Sequence, residues 1–329
     1  MSADLQTASQ TRFKSFRPSL DRPVVIAFGC IILLLVVGSF YSSNFLSPQY
    51  LLQQLKVGAF LGVIATGMML VVLLGQIDLS IPWTVTVGAM MASAAAAYGP
   101  AGEIMAIPFG ILCGVLLGLV NGIGVAYLRI PSMIVTLAVN AVAQGLMVAY
   151  SGGSSPVDSA SPAMRYIATG SPVFGIPNAV LVWAITGMLA VFLLRRTTFG
   201  RAVYAIGNRE SAAYLSGIST QRVVMIAFAL CGGLAAFGGV LLAGYGGKAA
   251  QSMGDAYLLP AIAAVVLGGT SILGGRGNYL GTVAGVILIT LLQSILSVVQ
   301  MPEYGRQIIY GAVIIAMLLL YGRSPGARS

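Results

Sequence analysis

Apolar runs of membrane-spanning length recur along this chain so closely that they leave room for little else. They fall at about 24–41, 50–75, 80–98, 104–127, 132–150, 176–194, 222–245, 257–273, 279–300 and 305–321 of 329 residues. A helical span needs roughly 20 mainly apolar residues, so the expected fold class is an all-α integral membrane protein with about ten transmembrane helices. Residues 1–23 read as an N-terminal tail, 24–322 as one transmembrane domain and 323–329 as a C-terminal tail. Composition agrees: 8% of residues are charged, against roughly a quarter in a soluble domain, and the mean hydropathy is +0.94. So little charge cannot cover a water-facing surface. A cytosolic enzyme, a disulfide-stapled secreted protein and a folded nucleic-acid module are excluded.

The net charge of +9 follows from the positive-inside rule. Threading the ten runs alternately leaves only Lys56, Arg165, Lys248 and Arg306 of the 17 Lys and Arg residues on the far side. Both termini are therefore expected in the cytoplasm. The first run is longer than a signal peptide's apolar region and lacks a small-residue cleavage pattern after it, so it reads as a retained span. The chain has no His, which removes the commonest proton shuttle and metal ligand. Cys30, Cys113 and Cys231 sit in separate apolar runs without paired spacing and read as packing residues.

Spacing of four places Gly114, Gly118 and Gly122 on one helix face, and likewise Gly277, Gly281 and Gly285, or Gly58 and Gly62. Such stripes let backbones approach closely in lipid, within one bundle in the simpler reading and between subunits in the other. A short echo links Val71-Val72-Leu73-Leu74-Gly75 with Val265-Val266-Leu267-Gly268-Gly269. Two loops are long enough to do more than turn the chain. Ser151 to Ile176, on the outer side, is a solvated connection or a docking surface for an external partner. Arg195 to Gln221, on the cytoplasmic side, holds a helix of about eight residues, with Asn208 as its expected N-cap, Glu210 in the first turn and Gly217 in the left-handed position beyond its end. So short a helix is marginal alone in water, and it presents Ala212, Ala213, Tyr214 and Leu215 outside the membrane. It folds back on its own domain or meets a partner.

For a translocation path the useful residues are polar groups that lipid would reject. Thr136, Asn140 and Gln144 recur every four residues on one face of the fifth run, where they line a wet path or bond neighbouring helices. Asn121 and the Gln293, Ser294, Ser297 series are secondary candidates. Asp78 is the carboxylate expected nearest membrane depth, either functional or an N-cap for the third span at the cytoplasmic turn.

Four stretches together carry a resemblance: Gly75-Gln76-Ile77-Asp78-Leu79-Ser80, Ile130 to Leu137, Ala205 to Ile218, and Leu267 to Gly277. In this order, over about 24–322, the chain resembles the ribose/xylose-type permease family of bacterial ABC sugar importers. The resemblance implies a multi-pass subunit of the bacterial cytoplasmic (inner) membrane. It implies a second permease chain, an external solute-binding protein and a cytoplasmic ABC ATPase that carries the ATP and Mg. The helix formed by Asn208, Arg209, Glu210, Ser211, Ala212, Ala213, Tyr214, Leu215, Ser216 and Gly217 would be the coupling helix seated on that ATPase. Two departures lie beside Asp78: Gln76 stands where the family usually has a second Gly, and Ile81-Pro82-Trp83 replaces a Val-Gly-Ser-like continuation.

No Gly-x-x-x-x-Gly-Lys-Ser/Thr phosphate loop is present, since Gly247-Lys248 has Leu242 where the first Gly should be. No cofactor of its own is therefore expected, and the energy must come from another subunit. The alternative, an ion-driven secondary carrier, usually keeps ionisable groups in the membrane, and here Asp78 is the sole candidate. No nucleophile–base pair or metal-ligand set suggests an enzyme.

Overall fold

A computed structural model of the chain describes residues 22–41, 43–153, 159–172 and 175–321. The tails expected at 1–23 and 323–329 lie, but for the residues at 22 and 23, outside the described residues. The helices are α1 (Arg22–Tyr41), α2 (Pro48–Leu73), α3 (Ile81–Ala96), α4 (Gly99–Ala126), α5 (Ser132–Tyr150), α6 (Pro162–Thr169) and α7 (Asn178–Arg196). They continue with α8 (Thr198–Asn208), α9 (Glu210–Leu215), α10 (Thr220–Gly246), α11 (Leu258–Leu267), α12 (Tyr279–Val298) and α13 (Glu303–Tyr321). Each of the ten apolar runs contains one of these. Among the described residues, α2, α4, α5, α7, α10 and α12 are long and apolar enough to cross a membrane. By contrast, α3 has 16 residues and α11 has 10, short of the roughly 20 that a complete span needs.

Burial sorts the long helices. The most apolar stretch of α2 is 83% buried, and those of α10 and α12 are 67% buried, whereas α4, α5 and α7 bury only 22–33%. A helix that is apolar all round belongs in the centre of a bundle. Accordingly α2 is enclosed by α10, α12, α7 and α11, while α4 and α5 lie outside α10 and α3. The outward faces of α4 and α5 carry Leu112, Leu116, Leu137 and Leu146, side chains suited to lipid.

The glycine stripes hold this bundle together internally. A Cβ on Gly232 of α10 would lie 2.2 Å from the Gly114 carbonyl oxygen of α4, and one on Gly118 would lie 2.2 Å from that of Phe228. The two backbones therefore touch, which is how helices gain contact in lipid. In the same way Gly281 and Gly285 of α12 press on the Gly268 and Ala264 carbonyls at and before the end of α11. These stripes are thus spent on packing within the subunit.

Two helices escaped the hydropathy pattern. The outer loop contains α6, started by Ser161, whose hydroxyl accepts from the Met164 N–H, with Pro162 in the first turn. Its fully buried Met164 and Ala168 fold onto α10 at Gly244. The Ser-Pro start was a legible capping signal. Residues 154–158 and 173–174 of this loop lie outside the described residues. The other missed helix, α8, is treated below.

Gly232→Ala should lower the apparent melting temperature of the detergent-solubilised protein, through overpacking worth about 1–3 kcal/mol. Gly145→Ala, where an added Cβ meets nothing within 4 Å, should leave it unchanged or raise it slightly. Equal effects of the two would contradict the backbone contact.

Candidate functional site

The two short helices mark the first feature of the site. α2 ends in a Schellman turn: Gly75 N–H donates to the Val72 carbonyl and Gln76 N–H to that of Val71, with Gly75 at φ +75°. α11 ends identically, with Gly269 N–H on Val266, Thr270 N–H on Val265, and Gly269 at φ +86°. Glycine takes this left-handed position without strain. The echo between these two stretches is therefore one turn built twice. Gln76 contributes its backbone N–H at ordinary φ, so the departure from glycine there costs no strain.

Beyond the first turn the chain runs back inward instead of crossing at the surface. Ile77 N–H donates to Ser132 Oγ (3.4 Å), Leu79 N–H to Thr136 Oγ1 (3.0 Å) and Trp83 N–H to Asn140 Oδ1 (3.3 Å). Residues 77–83 thus lie alongside the first two turns of α5. Irregular backbone at such depth persists only where protein groups satisfy it. Thr136 and Asn140 do this, whereas Gln144, one turn beyond Asn140, is exposed. Asp78 is 1% exposed and accepts from the Ser80 N–H (2.9 Å), the Ser80 hydroxyl (2.6 Å) and Asn121 Nδ2 (3.4 Å). Asn121 also donates to Ser80 Oγ at 2.7 Å. Cys231 stands beside Asp78 and packs on Gly67, six residues or about 9 Å from the end of α2. Asp78 therefore sits inside the bundle, not at a surface turn. It holds the amide of Ser80, the residue before α3, and so supports the start of that helix from two residues upstream.

The second feature is the segment 195–221. Thr197 starts α8, its hydroxyl accepting from the Gly200 N–H at 3.2 Å, and Ala202, Val203 and Ile206 are buried. Asn208 is the last residue of α8 instead of the cap of the following helix, which starts behind Arg209 with no side-chain cap and spans Glu210–Leu215. The Asn208 Oδ1 lies close to Gly275, where an added Cβ would meet it. Gly217 has φ +81° as its position requires. One residue of α9, Ala213, is buried. Tyr214 and Leu215 are 66% and 85% exposed.

The end of α8 rests on both irregular segments at once. A Cβ on Gly207 would lie 2.0 Å from the Leu73 carbonyl oxygen and 2.4 Å from Gly275 N, and Gly275 N–H itself donates to Leu73 O at 2.9 Å. The Tyr204 hydroxyl donates to Gly277 O (3.0 Å). Burial pushes the ionisation of this hydroxyl up, against the pull of Arg195, so it remains a donor. The end of α8 is thereby seated on the end of α2 and on the loop at 274–277 that follows α11.

The third feature is a cavity of about 490 Å³ at the opposite end of α2. Tyr50 and Gln54 of α2 form one wall, and Thr290, Gln293, Ser294 and Ser297 of α12 another. Tyr257 and the first turns of α13 complete it. Of the residues singled out in sequence, only the Gln293, Ser294, Ser297 series lines this space. Asp78, Asn121, Thr136, Asn140 and Gln144 do not. The series was only a secondary candidate in sequence, and its partners here, Tyr50, Gln54 and Tyr310, come from segments far away in the chain. No group of His, Cys, Asp or Glu among the described residues could hold a metal ion.

These features define a multi-pass membrane protein with a discontinuous helix and an external two-helix appendage. The chain belongs to the family described as "Branched-chain amino acid transport system / permease component", which matches residues 50–318. It is 31% identical over 320 residues to the "Ribose import permease protein RbsC" of Escherichia coli K12, covering 96% of this chain and 98% of that one. The corresponding protein of Bacillus subtilis is 34% identical over 291 residues, 88% of this chain and 90% of the relative. The "Autoinducer 2 import system permease protein LsrC" of Salmonella typhimurium is 31% identical over 294 residues, 89% of this chain and 84% of the relative. No solved structure matches.

Thr136→Val leaves the half-buried Leu79 amide without its acceptor and should destabilise the protein by about 1–3 kcal/mol, read as a lower apparent melting temperature. Thr136→Ser should restore most of it. Equal melting of Thr136→Val and wild type would remove the anchoring role.

Proposed function

We propose that the chain is the membrane-spanning subunit of a binding-protein-dependent ABC importer, carrying a monosaccharide or similar small polyol. The relatives named for ribose and autoinducer-2 import support this cargo class over the amino acids in the family's description. Two such chains enclose the path, an external binding protein delivers the solute, and cytoplasmic ATPases holding ATP and Mg drive the cycle. The chain makes no covalent change to its cargo.

The observation that carries this reading is the position of α9. Its apolar Tyr214 and Leu215 face outward on a support, α8, that touches the end of α2 at Leu73 and the loop after α11 at Gly275. An exposed tyrosine and leucine side by side suit a protein partner's groove, so Asn208–Gly217 is the coupling segment. Driven by ATP, it shifts the population between two states of the bundle. Asp78, Asn121, Thr136 and Asn140 serve the path by fixing the re-entrant segment. Gln144 is the member of the stripe left able to meet solute.

Charge supports the orientation. Arg129, Arg195, Arg196, Arg201, Arg209, Arg222 and Arg276 flank the helix ends on the α9 side, whereas Lys56, Arg165, Lys248 and Arg306 belong to the other end. By the positive-inside rule the α9 end faces the cytoplasm of a bacterial inner membrane. Ten crossings with both termini cytoplasmic are consistent with this, α3 and α11 being discontinuous spans.

Leu215→Arg or Glu210→Arg should abolish ATP-dependent uptake, by tenfold or more, and release the ATPase on co-purification, while the amount inserted in the membrane stays at the wild-type level. Uptake at the wild-type rate with the ATPase still bound would discredit the coupling role.

A further inference from the structure

The cavity at the outer end of α2 has no role in the coupling machinery, and its chemistry is out of place for a surface facing lipid. Its walls offer amides from Gln54 and Gln293 and hydroxyls from Tyr50, Thr290, Ser294 and Ser297. A lipid-facing surface would reject such groups, since each costs free energy in hydrocarbon unless paired. The cavity is therefore a wet space.

Several of these groups are held in place. Tyr50 and Ser294 share a hydrogen bond between their hydroxyls across α2 and α12. Thr290 and Ser297 each anchor a hydroxyl on the α12 backbone, at 2.8 Å from the Val286 and Gln293 carbonyls. The Gln293 amide stands against the Tyr310 hydroxyl of α13. Glu303 and Arg306 of α13 also line the cavity and pair with each other at 4.0 Å. Neutral donors and acceptors thus face a space of about 490 Å³, within the ~300–1,000 Å³ of small-molecule sites. Such a lining, with its one acid and one base paired to each other, matches a neutral solute carrying several hydroxyls.

Position gives the site its place in the transport cycle. Gln54 is nineteen residues before Leu73, which α8 touches, so the cavity and the coupling contact stand about 28 Å apart along one rigid, buried helix. With the α9 end in the cytoplasm, the cavity opens outward. We propose that it is the outer solute site, where a neutral polyhydroxylated molecule released by the binding protein first lodges against α2 and α12. α2 then joins this site to the ATPase end directly. The inference rests on the importer reading above.

The test uses the assembled importer in intact cells, with uptake of labelled ribose, xylose and glucose as the probe panel. Ser297→Cys and Gln293→Cys should react with a membrane-impermeant charged thiol reagent added outside. The wild-type chain and Ser219→Cys, at the α9 end, should not. Reaction should cut uptake at least tenfold, and the sugar that the wild type transports should slow it. Gln54→Ala, on the opposite wall, should raise KM for uptake roughly tenfold, the worth of one or two hydrogen bonds. Failure of both cysteines to react from outside, or reaction that leaves uptake intact, overturns the site even if wild-type uptake remains ATP-dependent. A wild-type chain that takes up none of the panel, or does so without ATP, overturns the importer reading and the site with it.

Discussion

A backbone amide cannot be left unpaired at membrane depth, and that constraint organises the inner half of this bundle. The irregular residues at 77–80 and the first turn of α3 lack helical acceptors for their amides, so α5 supplies Ser132, Thr136 and Asn140. Asp78 and Asn121 complete the set from within. Without this, α3 would have no starting point inside the protein. Its position in turn decides where α4 and α10 can press their glycines together.

The same arrangement explains how so short an appendage can matter. α9 alone has too few residues to fold stably in water, and it is fixed because α8 buries Ala202, Val203 and Ile206 and ends on backbone at Leu73 and Gly275. No flexible side chain lies between the pieces at that contact. The end of α8 therefore meets the end of α2 and the loop after α11 backbone to backbone. α2, buried along most of its length, runs from that contact to the far side of the molecule.

Much of this was legible in the sequence, for reasons that differ by element. Hydropathy alone finds a helix in each of the ten apolar runs, because apolar stretches of that length have few other solutions. It misses α6 and α8, whose apolar positions are periodic instead of continuous. The four-residue spacing of Thr136 and Asn140 identifies a polar face correctly, yet cannot say that the face meets backbone amides two helices earlier in the chain. Asp78 was expected at a surface turn because sequence order places it just after a span, and only the re-entrant path buries it. The echo of Val-Val-Leu-x-Gly looked too short to matter. Five residues are nevertheless enough to specify a Schellman turn, since that motif depends on one glycine and its immediate neighbours.

The central claim is that this bundle moves solute only when a separate ATPase pushes on α9. The direct measurement is uptake into vesicles containing the purified chain alone, compared with vesicles that also hold its ATPase and binding protein. The account predicts no solute accumulation by the chain alone under any proton or sodium gradient, and accumulation that follows ATP supply in the complete assembly. Concentrative uptake by the chain alone, at the rate of the assembly, would contradict it.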